Sequence, residues 1–198
     1  MFDSIVSFIK RKILRDPQER WNHQYEVGHW DVLKSEPELV RQNIVRDYFL
    51  KYKSGGSLLE LGCGEGNLVD LIFQKKNYSR YVGVDISDWI IEKANERVGD
   101  ERTRFEAGDM NALKINEKFD VVLFNEAINY AKDLDQVLTD CLKNQLAKDG
   151  IFIVSMHQHK QSPDIWAAVD RHFDVMDKEL VAIGEHAWMV KSLKPKVS

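Results

Sequence analysis

The amino-acid sequence predicts an α/β fold: a doubly wound, mostly parallel sheet flanked by helices. From residue 57 onward, short continuous apolar runs alternate with stretches of helical periodicity. This alternation is typical of βαβ units whose strands are buried on both faces. A turn at Gly184 and Glu185 separates the last two apolar runs, and it is too short for a parallel crossover. The last two strands are therefore predicted to form an antiparallel hairpin.

The composition narrows the class of protein. The chain has 198 residues, of which 43% are hydrophobic and 30% charged, with a formal net charge of -4. This length suits one domain with a substantial core, and the balance excludes disordered and fibrous proteins. No apolar run approaches the roughly 18 residues that a membrane span needs, and the acidic balance disfavours nucleic acid. Cys63 and Cys141 have neither disulfide-framework nor metal-site spacing, so we expect a cytoplasmic protein without a metal.

The first 35 residues are predicted to form a helix and an arm, followed by the main domain at 36–198. Apolar residues at helical spacing indicate an amphipathic helix over residues 2–15, with a basic opposite face. We expect it to pack on its own domain or on a partner subunit, with contact to an anionic membrane surface as the alternative. The aromatic and histidine cluster at 21–30 is too irregular for a helix face or a strand. It is interpreted as an ordered arm that serves as a lid over substrate or cofactor, with ordinary packing onto the sheet as the alternative.

The remaining elements follow in chain order. Ser35, with Pro37 and Glu38, forms a capping-box pattern that opens a helix through about residue 52. Strands are predicted at 57–61, 81–84, 104–107, 119–124, 151–156, 173–182 and 187–193. Helices are predicted near 65–76, 87–98, 133–147 and 163–172, with no more than a turn or so in 108–118. The tail 194–198 is expected to fray.

The most informative motif is LLELGCGEGN at residues 58–67, where an apolar strand enters three alternating glycines and then a helix. Glycines at such a turn allow positive φ and close approach of a ligand, and the following helix N-terminus offers free N–H groups. The dinucleotide fingerprint would require glycine at position 67, where Asn67 stands. A glycine loop that only turns the chain is the alternative interpretation.

Acidic residues around this loop suggest the ligand. Asp85 ends the next strand, where a carboxylate can accept the hydroxyls of a ribose. Glu60 precedes the glycines, a position that suits a cationic group and disfavours a phosphate. Asp109 and Met110 follow the third strand and offer a carboxylate and an apolar side chain to a purine. Adenine, ribose and a cationic amino-acid tail without phosphates describe S-adenosylmethionine.

With these motifs the chain resembles the class I SAM-dependent methyltransferases, of the small-molecule type. The match runs from about residue 36 to 193 and includes LELGCGEGN, YVGVDIS, AGDM, FDVVLFNEAINYAKD and LAKDGIFIVS. The resemblance implies a seven-stranded sheet of order 3-2-1-4-5-7-6 with strand seven antiparallel. It implies S-adenosylmethionine as cofactor, S-adenosylhomocysteine as product, and no metal.

The resemblance also assigns cofactor-binding positions. It puts Gly62, Gly64 and Gly66 around the methionine portion, with Cys63 against the cofactor and Glu60 near the amino end. It puts Asp85 on the ribose and Asn125 near the sulfonium. Ile86 would lie beside the adenine, and Asp109 and Met110 on the adenine edge and face.

Catalytic candidates must lie at the carboxyl ends of the strands. Many small-molecule members carry a histidine in the loop after strand four, where this chain has Tyr130. A hydroxyl acceptor needs a general base, whereas a neutral amine or an ionised oxygen does not. His157, directly after strand five, is the first choice for a base, although a rim histidine that only packs is the alternative. Glu126 is expected to orient substrate or to join the strand-end network.

His159 and His186 are kept as candidates, and His172 is set aside as a helix surface residue.

The predicted function is methyl transfer from S-adenosylmethionine to an oxygen or nitrogen of a small molecule. Methylation of a protein or RNA, or a non-catalytic SAM-binding module, are the alternatives. The sequence Asn125-Glu126-Ala127-Ile128 differs from the Asn-Pro-Pro-Tyr that is typical of nucleobase amino methylation. Glu60 and the glycine spacing disfavour an NAD-dependent oxidoreductase.

Overall fold

The computed structural model describes residues 16–74 and 76–196 of the chain. The helix predicted at residues 2–15 lies outside the described residues. The α-helices of the described part are α1 Pro17–Glu26, α2 Glu36–Lys53, α3 Asp88–Val98, α4 Leu134–Asp140 and α5 Ser162–His172. Short 3-10 helices lie at Asp31–Lys34, Met110–Ala112 and Ile128–Tyr130, and π-helical turns at Leu68–Phe73 and Cys141–Gln145.

The sheet confirms the predicted topology. Its strands are β1 Ser57–Leu61, β2 Arg80–Asp85, β3 Thr103–Ala107, β4 Phe119–Asn125, β5 Leu146–His157, β6 Phe173–Ile183 and β7 His186–Pro195. They are ordered β3-β2-β1-β4-β5-β7-β6. Strands β1 to β5 pair in parallel, whereas β7 is antiparallel to both β5 and β6. The terminal hairpin with its turn at Gly184 and Glu185 is therefore confirmed.

Helices cover both faces of the sheet, as a doubly wound fold requires. Alternate side chains of β1 point to opposite faces, so that Leu58 packs with α2 and α3, and Leu59 packs with α4 and α5. Both leucines are fully buried. Burial on both faces explains why the strands read as continuous apolar runs in the sequence.

Residues 17–26 of the N-terminal arm form helix α1, which corrects the prediction that residues 21–26 are too irregular for a helix, whereas residues 27–30 form a turn. Asp16 caps helix α1 by accepting a hydrogen bond from the Gln18 N–H at 2.9 Å, and Pro17 begins the first turn. None of the residues of α1 is buried. Because a helix without a buried stripe has no apolar periodicity, its sequence gave no helical signal.

Two further predictions need correction. Ser35 flanks the start of α2, but its side chain makes no capping hydrogen bond, and Glu38 instead pairs with Arg41. In the predicted frayed tail, Lys194 and Pro195 pair with β6 and extend the sheet. No helix in the described ranges is long and apolar enough to cross a membrane.

Candidate active site

The candidate site lies at the carboxyl ends of the central strands. Leu61 at the end of β1 stands beside Val84 of β2 and Phe124 of β4, so the loops that follow these strands converge. A cavity of about 450 Å³ opens there, beneath helix α1. Its walls are formed by Asp16, Pro17, Arg20, Trp21, Tyr25, Trp30, Leu33, Gly62, Val84, Asp85, Ile86, Gly108, Asp109, Met110, Asn111, Asn125, Glu126, Ala127, Tyr130 and Lys132.

The glycine loop lies against the cavity, and its glycines occupy positions where a side chain would not fit. Gly62 has φ +77°, and a Cβ on it would stand 2.4 Å from the Cβ of Ala127. Gly64 has φ +54° and faces the Tyr25 hydroxyl, whereas a Cβ on Gly66 would collide with the ring of Phe105 at 2.6 Å. The first glycine therefore lets the loop pack against Ala127, the second leaves room beside the Tyr25 hydroxyl, and the third lets the loop pack on β3.

Asp85 is a buried carboxylate that the loops hold from several sides. Its two oxygens accept backbone N–H bonds from Gly64 and Ser87, each at 3.0 Å. The Tyr25 hydroxyl donates a third bond to Oδ2 at 3.1 Å. Burial raises the pKa of Asp85, and these bonds oppose the rise. The Tyr25 hydroxyl thus makes the kind of bond that a ribose hydroxyl would make to the same oxygen.

Glu60 is buried at the other end of the loop, beside a smaller cavity of about 40 Å³. The Tyr81 hydroxyl and, at 3.3 Å, the Asn125 amide donate to its carboxylate. Burial raises the pKa of Glu60 to about 7, against the effect of these bonds and of Arg41. A carboxyl group with this pKa changes charge near neutrality, and a cationic ligand would favour its ionised form.

Arg41 was missed by the sequence reasoning. It is only 1% exposed, and its guanidinium donates to Glu38 Oε2 at 2.6 Å, to Ser155 Oγ at 2.8 Å and to Asn125 Oδ1. It lines the smaller cavity together with Glu60. A signal existed, because position 41 lies four residues before Val45 on the buried stripe of α2.

Ile86, Asp109 and Met110, which the resemblance assigns to the adenine, line the same cavity. Asp109 Oδ1 accepts hydrogen bonds from the backbone and the amide of Asn111, at 2.9 and 2.6 Å. Its other oxygen lies 3.8 Å from Lys132 Nζ. Residue 109 therefore keeps one carboxylate oxygen for an amino group.

Cys63 is the neighbouring motif position. Its thiol is buried, and burial raises its pKa well above the usual value. It lines the smaller cavity and packs against Gly83, where a Cβ would stand 2.8 Å from Sγ. The thiol is therefore a packing group beside the glycine loop.

The three catalytic candidates do not share one position. Glu126 lines the cavity with φ +62°. It accepts the His157 backbone N–H at 2.9 Å and lies 3.7 Å from Arg41 Nη1. Burial raises its pKa to about 7, opposed by Arg41 and the His157 N–H. Tyr130 also lines the cavity, and its ring meets that of Trp21 edge-on at 4.8 Å.

The imidazole of His157 lies apart from the cavity walls that the described residues form. Its Nε2 is 3.3 Å from His186 Nδ1, and its ring packs edge-on against Trp188. Burial and the neighbouring His186 and His159 lower its pKa. His157 is connected to the cavity wall through its backbone N–H, which donates to the Glu126 carboxylate. His172, set aside earlier, binds Asp135 at 2.8 Å on the far face of the domain.

Helix α1 covers the cavity through side chains that meet the loops. Asn22 accepts from the Ser87 hydroxyl at 2.6 Å and donates to Asp88 at 2.8 Å, at the start of α3. Trp21 stacks on Trp30 with centroids 5.3 Å apart. Aromatic rings therefore form the roof above Asp85 and the glycine loop.

These residues fit S-adenosylmethionine. The two glycines form a cradle that a Cβ would fill, Asp85 and Asp109 offer acceptors to ribose and adenine, and Glu60 offers an anion to an ammonium group. Among the described residues no group of three His, Cys, Asp or Glu side chains has metal-site geometry.

Comparison with known proteins agrees with this arrangement. The model of a family described as a methyltransferase domain matches residues 52–191. The malonyl-[acyl-carrier protein] O-methyltransferase of Acetivibrio thermocellus is 28% identical over 110 residues, which are 56% of this chain and 38% of that protein. The juvenile hormone acid O-methyltransferase of Bombyx mori is 28% identical over 120 residues, 58% of this chain and 42% of that one. The chain thus spans about two fifths of the length of these relatives.

A solved structure has the same fold. The N-methyltransferase NodS from Bradyrhizobium japonicum, in complex with S-adenosylhomocysteine, superposes with a TM-score of 0.73 at 15% identity. The superposition covers 84% of this chain and 92% of NodS. By the family match over residues 52–191, which the shared fold accompanies, the chain belongs to the methyltransferase domain family.

Proposed function

We propose that the protein transfers a methyl group from S-adenosylmethionine to an oxygen or nitrogen atom of a small molecule. One observation carries the proposal: a single cavity of about 450 Å³ joins the cofactor positions Asp85 and Asp109 to aromatic walls formed by Trp21 and Tyr130. Such a volume is in the range of small-molecule sites, and it is largely enclosed by apolar and aromatic groups. The names of the two relatives, both O-methyltransferases of organic acids or acyl groups, support a small acceptor.

The cofactor roles follow from the geometry. S-adenosylmethionine, when bound, supplies an activated methyl group. Asp85 would accept the ribose hydroxyls in exchange for the Tyr25 hydroxyl, and Glu60 would hold the ammonium. Arg41, which is linked to Glu60 through the Asn125 amide and lines the same smaller cavity, would face the carboxylate.

The chain's own contribution to the reaction is alignment and exclusion of water. The rings of Trp21 and Tyr130 would position the acceptor, and α1 would act as the lid. Glu126 lines the cavity with a pKa of about 7, which suits a general base for a hydroxyl acceptor. His157 would act as a positioning residue, since its backbone N–H holds the Glu126 carboxylate.

The setting of the enzyme is part of the same proposal. Cys63 and Cys141 are both buried free thiols, which supports a reducing, cytoplasmic compartment. The acidic balance supports acceptors other than nucleic acid.

The test uses S-adenosylmethionine labelled in its methyl group and a size-fractionated cell extract. We expect label in products of low mass, identified by their mass increase. The Asp85→Ala variant, which lacks the ribose acceptor, is the control and should incorporate far less. Label confined to protein or RNA would assign a macromolecular acceptor instead, and no transfer despite tight S-adenosylhomocysteine binding would indicate a binding module.

A further inference from the structure

Arg20 is the charged residue of the cavity wall that has no counter-ion among the residues that the structure describes. It lies on the second turn of α1, is exposed to the cavity, and stands 5.6 Å from the ring centroid of Trp21. Within residues 16–74 and 76–196 its guanidinium makes no hydrogen bond and no ion pair with a carboxylate. A guanidinium offers five N–H donors, and those of Arg20 have no acceptor among the described residues.

The neighbouring charges are already engaged. Asp16 caps α1 through the Gln18 N–H, and Asp109 accepts two bonds from Asn111 and lies near Lys132. Glu126 lies near Arg41 and accepts the His157 N–H. Arg20 and Lys132 are both cations of the cavity wall, but Lys132 lies 3.8 Å from Asp109. An anionic ligand that enters the cavity would therefore find the guanidinium of Arg20 unpaired among the described residues.

The surroundings of Arg20 define the rest of such a ligand. Trp21 and Tyr130 present their rings to the same cavity and meet edge-on at 4.8 Å. Flat apolar walls beside one guanidinium favour a molecule with an apolar body and one anionic group. The planar guanidinium matches the two oxygens of a carboxylate in a bidentate pair.

The cavity also bears on the chemistry of the acceptor atom. No histidine is among the described residues that line it. A carboxylic acid has a pKa of about 4 and is ionised at neutral pH, so it accepts a methyl group without a base. An alcohol or phenol would depend on Glu126 or Tyr130 for deprotonation.

We propose that the acceptor is a carboxylic acid, bound by Arg20 against Trp21 and Tyr130, and methylated on its carboxylate oxygen. A carboxylate lone pair forms the C–O bond to the methyl carbon while the carbon–sulfur bond breaks and its electron pair passes to sulfur. The products are a methyl ester and a neutral thioether, and no proton moves. This inference depends on the proposed methyl transfer to a small molecule.

The experiment combines the chemistry of the product with binding. Labelled product from the low-mass extract fraction is treated with mild alkali, which releases methanol from a methyl ester but not from an N-methyl group or a methyl ether. We expect volatile label from the wild type. The initial rate of the Arg20→Gln variant should be about 10- to 100-fold lower than that of the wild type. This is the range expected for the loss of one hydrogen-bonded charge pair.

The binding readout is independent of turnover. The protein saturated with S-adenosylhomocysteine is ultrafiltered with the low-mass fraction, and the retained compounds are identified by mass. Wild type and the control Arg46→Gln, altered on the outer side of α2, should retain the same carboxylic acid, and Arg20→Gln should not. The affinity of Arg20→Gln for S-adenosylhomocysteine, measured by calorimetry, should equal that of the wild type.

The outcomes separate the two proposals. Alkali-stable label in a small product would overturn the carboxylate acceptor and leave small-molecule methylation standing. Equal retention of the acid by Arg20→Gln would overturn the role of Arg20. Absence of any low-mass labelled product would overturn the proposed function itself.

Discussion

Two carboxyl groups, the buried Glu60 and the half-buried Glu126, lie within the same few strand ends, and both have a pKa raised to about 7. Arg41 lowers the pKa of each, so its single charge is shared between two acids. Burying a carboxylate without full compensation is costly. These groups are therefore poised to respond to a bound cation, which would complete the charge balance.

Affinity for S-adenosylhomocysteine should depend on pH through Glu60. The pKa of Glu60 is raised, so the group is protonated and neutral below pH 7 and ionised above it. Because the ammonium of the ligand favours the ionised form, affinity should fall by roughly 10-fold between pH 7.5 and 5.5. Calorimetric titration across this range measures the slope. Glu60→Gln should bind more weakly at pH 7.5 and show a flat profile.

The control for that measurement is Glu126→Gln, which removes the other acid with a similar pKa. The affinity of this variant for S-adenosylhomocysteine should still fall with decreasing pH, with the same slope as in the wild type. A slope that survives in Glu60→Gln but vanishes in Glu126→Gln would contradict the assignment of the ammonium site to Glu60.

Arg41 should be essential to stability as well as to the site. Replacing it by methionine leaves Glu38 buried without its partner at 2.6 Å and removes the bonds to Ser155 and Asn125. Breaking a buried ion pair typically costs about 3–5 kcal/mol. Urea denaturation of Arg41→Met should show a loss of this size. Arg46→Met on the same helix, with a side chain 32% exposed, should change the free energy of unfolding by about 0.5 kcal/mol or less.

At the scale of elements, strands were easier to predict than the N-terminal helix. The strands are buried on both faces, and their continuous apolar runs come from that local environment. Helix α1 buries no residue, and Asn22 and Tyr25 hold it through contacts to residues more than 50 positions away. No local pattern encodes such contacts, so the cluster 21–30 was interpreted as irregular.

The same reasoning explains which site residues the sequence could predict. Gly62, Gly64 and Asp85 occupy turns whose chemistry is local, and all three line the two cavities. His157 was chosen because it follows a strand directly. The direction of its side chain depends on β7, where His186 and Trp188 receive it, and this pairing depends on a distant part of the chain.

The glycine loop allows a matched comparison of two glycines with the same backbone conformation. Gly55 and Gly62 have φ of +79° and +77°, but a Cβ on Gly55 would meet nothing within 4 Å. Gly55→Ala should therefore lower the free energy of unfolding only by the cost of holding alanine in the left-handed conformation, about 1–2 kcal/mol. Its affinity for S-adenosylhomocysteine should be unchanged. Gly62→Ala adds a collision with Ala127 at 2.4 Å. Displacing the loop should weaken binding by roughly 100-fold, measured by calorimetry.

Equal affinity in the two alanine variants would show that residue 62 is needed only for its φ. In that case the close approach between the glycine loop and the loop after β4 would not shape the cofactor site.

At the scale of the whole molecule, the cavity is closed by two parts of the chain that have different stability. The sheet and helices α2 to α5 form the buried core. Helix α1 has no buried residue and is held to this core by side-chain hydrogen bonds. Folding and cofactor binding should therefore separate. The domain can keep its core when α1 is removed, but the ligand loses its roof of aromatic rings.

Deleting residues 1–30 should leave a domain that unfolds cooperatively yet responds less to cofactor. Ligand at 100 times its dissociation constant stabilises a protein by about 2.7 kcal/mol, and each tenfold loss of affinity removes about 1.4 kcal/mol of this effect. For a domain of this size that loss lowers the ligand-induced rise in Tm by roughly 3–6 °C. Thermal unfolding with and without S-adenosylhomocysteine measures the difference. The full-length Trp21→Ala variant, which keeps helix α1 but opens the roof, should show a smaller loss in the same direction. An undiminished rise in the truncated chain would mean that α1 packs on the domain without contacting the cofactor.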